Sequence, residues 1–144
     1  MADIEKAIET LLNTDSTCVI CKGETLLKSD KRGVAPLLGW LESGVDVSGA
    51  SAADKVVGNA AAYLYVLMNV KTVYAIVISE VALETLKKYQ ISVTYEKLVK
   101  AIKNRTNDGY CPMETAVKDA SNPEEALALI KEKLRSLLSN GNNN

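Results

Sequence analysis

Three features of the sequence predict an α/β domain: a three-layer structure with a mixed β-sheet of four or five strands flanked by helices. Lys71 to Ser79 is a near-continuous apolar run, as expected of a central parallel strand covered on both faces. Glu80 to Tyr89 reads as a helix and Ile91 to Tyr95 as another strand. Such a strand–helix–strand unit implies a right-handed parallel crossover. Residues 52 to 69 leave little polar surface in any helical projection, and a helix apolar nearly all round is a buried one.

The remaining elements follow from local chemistry. Ile4, Ala7, Ile8, Leu11 and Leu12 fall at helical spacing over residues 2 to 13, with Asp3 and Glu5 in the first turn, where carboxylates favour the helix dipole. Two short runs, 17 to 21 and 24 to 28, separated by Lys22-Gly23, predict a tight hairpin. Ser29 to Gly33 is a polar loop. Val34 to Ser43 reads as a helix with Pro36 in its first turn and Gly44 as its stop. The long helix over 52–69 takes Ser51 as N-cap and Asp54 at N3. Residues 96 to 104 are predicted helical, Asn107-Asp108-Gly109 a turn, and Cys111-Pro112-Met113-Glu114 the start of a short helix. In the last helix Asn122 is the cap, Pro123 sits at N1, and Glu124 and Glu125 fill the first turn.

The 144 residues are enough for one domain, predicted over 1–139, followed by a frayed polar tail at 140–144. Seventeen basic residues against eighteen acidic ones leave a net charge of −1. That balance lacks the basic stripe of a nucleic-acid binder; the densest basic stretch, Lys100, Lys103 and Arg105, reads as a solvated helix face. The longest apolar run, Ala60 to Met68, is too short to span a membrane. The N-terminus carries acids where a signal peptide needs bases, which predicts a cytoplasmic protein.

No histidine is present. Ser-His-Asp and Cys-His catalysis are therefore excluded, as is any His-ligated metal. The three cysteines do not make a zinc ribbon, which needs a second pair. Cys18 and Cys21 sit in a strand-like run, and residues three apart on a strand point to opposite faces. They read as structural thiols rather than a redox pair.

The order of elements resembles the cytidine-deaminase-like fold. Arg32-Gly33-Val34, Ala53-Asp54-Lys55-Val56-Val57-Gly58, Val77-Ile78-Ser79 and Cys111-Pro112-Met113-Glu114 resemble a small prokaryotic family of unknown function built on that fold, over roughly residues 15–135. Active zinc deaminases carry H-x-E or C-x-E at the start of the buried helix and P-C-x-x-C at the next. Here the resemblance places those slots on Ala53-Asp54-Lys55 and Ser79-Glu80-Val81-Ala82, and neither holds a metal ligand. It implies a fold without zinc chemistry, with no metal and no cofactor. Deaminase-like domains often self-associate, so it also implies a homo-oligomer.

Three candidate groupings remain. Asp54 and Lys55 are the only charges at the head of the expected buried helix; they are a cap with a solvated lysine, or a base and Schiff-base nucleophile. Cys111 at the head of its helix is either a small packed side chain or a thiol activated by the helix dipole. Glu114, at N3 of that same helix, is either its capping-box carboxylate or a general base. Arg32 and Gly33 form either a solvated loop or an anion site. Ser79 stands at a strand end where ligands bind, and serves equally as an N-cap. Trp40, Tyr63 and Tyr65 read as core or oligomer contacts, or as base-stacking surfaces. The expected function is a metal-free domain binding a small polar or nucleotide-like ligand. The alternative is a non-catalytic interaction or sensor module whose charges pair with one another and leave no cavity.

Overall fold

The computed structural model describes residues 2–103 and 109–142. Helix α1 (Asp3–Asn13) leads into a hairpin of β1 (Cys18–Lys22) and β2 (Thr25–Ser29). Gly23 closes the hairpin with φ +59°, a sign that glycine adopts without steric cost. Helix α2 (Ala35–Ser43) stops at Gly44, whose φ is +78°. Strand β3 (Ser51–Val57), helix α3 (Asn59–Leu67), strand β4 (Thr72–Ser79), helix α4 (Glu80–Lys88) and strand β5 (Ser92–Val99) follow. Helices α5 (Pro112–Ala116) and α6 (Pro123–Asn142) complete the chain.

The five strands form one sheet in the order β2-β1-β3-β4-β5. β1 is antiparallel to both its neighbours, and β3, β4 and β5 run parallel. A mixed, helix-flanked sheet is therefore present, as the sequence predicts. One face carries α1, which packs Ile4, Ala7, Ile8 and Leu11 on Val19, Cys21, Ala53 and Tyr74. The opposite face carries the larger core, centred on α3.

The main difference from the sequence reading lies at 51–57. The expected helix over 52–69 begins only at Asn59; its first part is strand β3. An apolar run this short is ambiguous by periodicity, and its alanines favour a helix. The tertiary slot decides otherwise. β3 fills the gap between β1 and β4, with Ala52 in the α3-side core and Ala53 in the α1-side core. Small side chains on both faces let helices approach closely from each side. Ser51 is consequently a buried strand residue and not an N-cap.

Three further differences follow. Residues 96–99 extend β5 and are not helical. Lys103 forms an isolated antiparallel bridge with Tyr110, so Lys100 and Lys103 do not lie on a helix face; Arg105 and the turn residues 107–108 lie outside the described residues. The expected tail at 140–144 is helical as far as Asn142. No helix among the described residues is long and apolar enough to cross a membrane.

The cap of α6 is where the sequence places it: Asn122 Oδ1 accepts from the Glu125 N–H at 2.8 Å. Asn122→Ala is expected to lower stability by about 1 kcal/mol, which urea denaturation would read as a shifted midpoint with an unchanged slope.

Candidate functional site

The parallel strands β3 and β4 end side by side, with Val57 paired to Ile78. Each runs directly into a helix. Ser79 is buried and caps α4, its Oγ accepting from the Ala82 N–H at 3.2 Å. At the head of α3 there is no side-chain cap from the N-cap residue, because that residue is Gly58. The cap comes instead from far along the chain. Glu114 Oε1 accepts from the Asn59 N–H at 2.7 Å, and Oε2 accepts from the Ala60 N–H at 3.1 Å. Both carboxylate oxygens thus sit on the positive end of a buried helix, where free N–H groups hold anions.

Gly58 makes this approach feasible. Its φ of −95° suits any residue, but a side-chain Cβ there would lie 2.6 Å from the Glu114 carboxyl carbon. Beside it Asn59 is buried and its Oδ1 accepts from Thr85 Oγ1 at 2.5 Å, tying α3 to α4. Glu114 is itself carried by α5, which begins at Pro112. Cys111 is the N-cap residue of α5, half-buried, with its thiol making no cap hydrogen bond; its N–H donates to the Ile102 carbonyl at 3.0 Å.

Asp54 and Lys55 do not form a pair. As neighbours on a strand they point to opposite faces: Asp54 is 7% exposed, whereas Lys55 is open to solvent. Neither heads a helix, so Lys55 opposes no helix dipole. Among the described residues no hydrogen bond or ion pair joins the Lys55 ammonium to Asp54, Cys111 or Glu114. Asp54 lies instead under α3, accepting from Tyr65 Oη at 2.7 Å and from the Val56 N–H at 3.3 Å. Burial drives its carboxyl from 3.8 up to about 7, against the opposing pull of Tyr65 and the Val56 and Lys55 amides. Cys18 stands directly across the β1–β3 ladder from Asp54. Burial, and then the Asp54 charge, push that thiol up to about 12. The Tyr65 hydroxyl is raised well above its ordinary value by burial first and then by Asp54.

Cys21 faces the other side of the sheet from Cys18, in the α1-side core, and all three cysteines are free. The divergence expected of a strand is what the structure has. Burial, followed by Asp3, raises the Cys21 thiol as well. Tyr63 and Tyr65 are both buried, with the Tyr63 hydroxyl donating to the Ala120 carbonyl at 3.3 Å; neither offers a face for stacking.

Arg32 and Gly33 are exposed in the loop between β2 and α2. Their neighbour Lys31, with Lys28, Ser29 and the α2 residues Pro36, Gly39 and Trp40, lines a shallow depression of about 380 Å³. The structure therefore separates the sequence-derived candidates into distinct places: Ser79 with Glu114 and Cys111 toward the strand ends, Asp54 in the core, Lys55 and Arg32 on the surface. Asn59 and Thr85 escape the sequence reading, and Gly58 enters it only as part of the Ala53–Gly58 string, not as a helix start. The signal for them was Val56-Val57-Gly58-Asn59, a strand end, a glycine and a helix start, which an uninterrupted helix over 52–69 concealed.

A glycine-headed buried helix beside a capped parallel strand end defines an α/β domain whose central helix is capped by its own distant glutamate. Residues 6–134 match the family described as a domain of unknown function, DUF1893, and the chain belongs to that family. The fold is similar to the crystal structure of a DUF1893 family protein from Thermotoga maritima, at 24% identity over 91% of this chain and 89% of that one, with a TM-score of 0.84. No curated protein matches the chain.

Proposed function

We propose that this is a cytidine-deaminase-like domain without metal chemistry, acting as a non-catalytic interaction or sensor module whose former ligand seat is filled from within. The observation that carries this reading is the Glu114 carboxylate spanning the Asn59 and Ala60 amides, packed so closely on Gly58 that a Cβ there would clash with it. The strand order β2-β1-β3-β4-β5, with β1 alone running against the other four, supports the deaminase-like part. Set on the helix start at its actual place, the first zinc slot reads Gly58-Asn59-Ala60 and the second Ser79-Glu80-Val81-Ala82. Neither holds a histidine or cysteine, so the residues present do not fit zinc.

The test is a thermal-shift screen of the intact protein against acetate, phosphate, nucleosides and nucleotides. The wild-type chain is expected to show no shift, because its seat is taken. Glu114→Ala is expected to gain acetate- or phosphate-dependent stabilisation, as an added anion replaces the missing carboxylate. Saturable binding of a small polar molecule to the wild-type seat, undiminished by substitutions at the surface, would overturn the reading.

A ligand-binding role has one observation in its favour: the depression beside Trp40, with Lys28 and Lys31 at its rim, offers an aromatic surface next to two ammonium groups. If that surface binds an anionic ring compound, Trp40→Ala removes the binding and Glu114→Ala leaves it intact.

A further inference from the structure

We infer that the open edge of β5 is the contact between two copies of this chain, joined antiparallel about a two-fold axis so that their sheets become continuous. β5 is an eight-residue edge strand, Ser-Val-Thr-Tyr-Glu-Lys-Leu-Val, with neither proline nor glycine. It pairs with β4 on one side, and among the described residues no backbone group pairs with the other. It is open on its faces as well: Tyr95 and Leu98 are each 41% exposed, and six of its eight residues are exposed. A parallel strand is ordinarily covered on both faces, and a long unpaired edge is a template for another strand.

Symmetry restricts how a second copy can add. A two-fold axis perpendicular to the sheet keeps each side chain on its own face. Directly opposed residues in an antiparallel pair also share a face. Hence one residue must stand opposite its own copy at the centre. The two centres that overlap the strand most fully are Tyr95 and Glu96. Glu96 would face Glu96 of the partner subunit, and like charges directly opposed are destabilising. A Lys97 centre fails in the same way.

The Tyr95 centre has no such conflict. It sets Tyr95 against the partner's Tyr95, Thr94 against the partner's Glu96, and Val93 against the partner's Lys97. Charges that usually guard an edge are here offset, so that neither meets its like. The aromatic pair supplies the contact, and the backbone ladder supplies the alignment.

Sedimentation equilibrium of the full chain over a wide micromolar range is expected to show a reversible dimer. Tyr95→Lys, which changes only an exposed side chain, is expected to weaken it at least about tenfold while leaving the circular dichroism spectrum unchanged. The register has its own readout. In a Cys111→Ser background, Tyr95→Cys is expected to crosslink to its own copy under mild oxidation. Glu96→Cys is expected not to, since its copies stand diagonally apart, beyond the roughly 7 Å reach of a disulfide. A chain that stays monomeric throughout, or a dimer that is indifferent to Tyr95→Lys and gives no crosslink with Tyr95→Cys, overturns the inference.

Discussion

Above about pH 7 the Asp54→Asn variant is expected to be more stable than the wild-type chain, by up to about 4 kcal/mol. The folded protein holds Asp54 at about 7 against an ordinary 3.8, chiefly through burial. A carboxyl raised in this way binds its proton more tightly when folded than when unfolded. Its contribution to stability is therefore fully present below the unfolded value of about 3.8 and is lost as the pH rises through about 7. Wild-type stability should fall across that window relative to the asparagine variant, and the two curves should converge toward acid.

The geometry explains why asparagine fits. Its oxygen can accept from the Val56 N–H, while its amide donates to the Tyr65 oxygen, as a protonated carboxyl does. Urea denaturation of both proteins between about pH 4 and 8 decides the matter. A wild-type curve parallel to that of Asp54→Asn would mean that Asp54 is not a desolvated carboxyl.

Glu114→Ala is expected to cost about 2–4 kcal/mol, because two amides at the head of a buried helix lose charged acceptors together. Glu114→Gln keeps one acceptor oxygen and should cost roughly half as much. Gly58→Ala should be nearly as damaging as Glu114→Ala, for a reason specific to this site. The backbone at Gly58 is ordinary, but the added methyl displaces the carboxylate from its amides. The two substitutions then remove one interaction, so the double variant should be far less destabilised than the sum of the singles. Additive costs would show that Gly58 and Glu114 act independently.

Which parts of this arrangement were legible in the sequence follows from the range of the forces involved. The hairpin, α2 with its glycine stop, and the Asn122 cap depend on contacts within a few residues. Their boundaries shift by only a residue or two. The β4–α4–β5 unit was likewise readable, since a continuous apolar run beside an amphipathic one has few alternatives. The opposed faces of Cys18 and Cys21 needed only strand alternation.

Local patterning was thus enough for an α/β domain with a parallel crossover. It was not enough for residues 51–57. Alanine-rich segments suit either state until a gap between two strands selects one, so their strand conformation is a tertiary outcome. That choice set Asp54 and Lys55 on opposite faces and moved the helix start to Asn59. It also gave Glu114 its place, 55 residues along the chain from the amide it caps. A contact so remote in sequence carries no local signature; it exists because folding brings a glycine, a helix end and a carboxylate to one point.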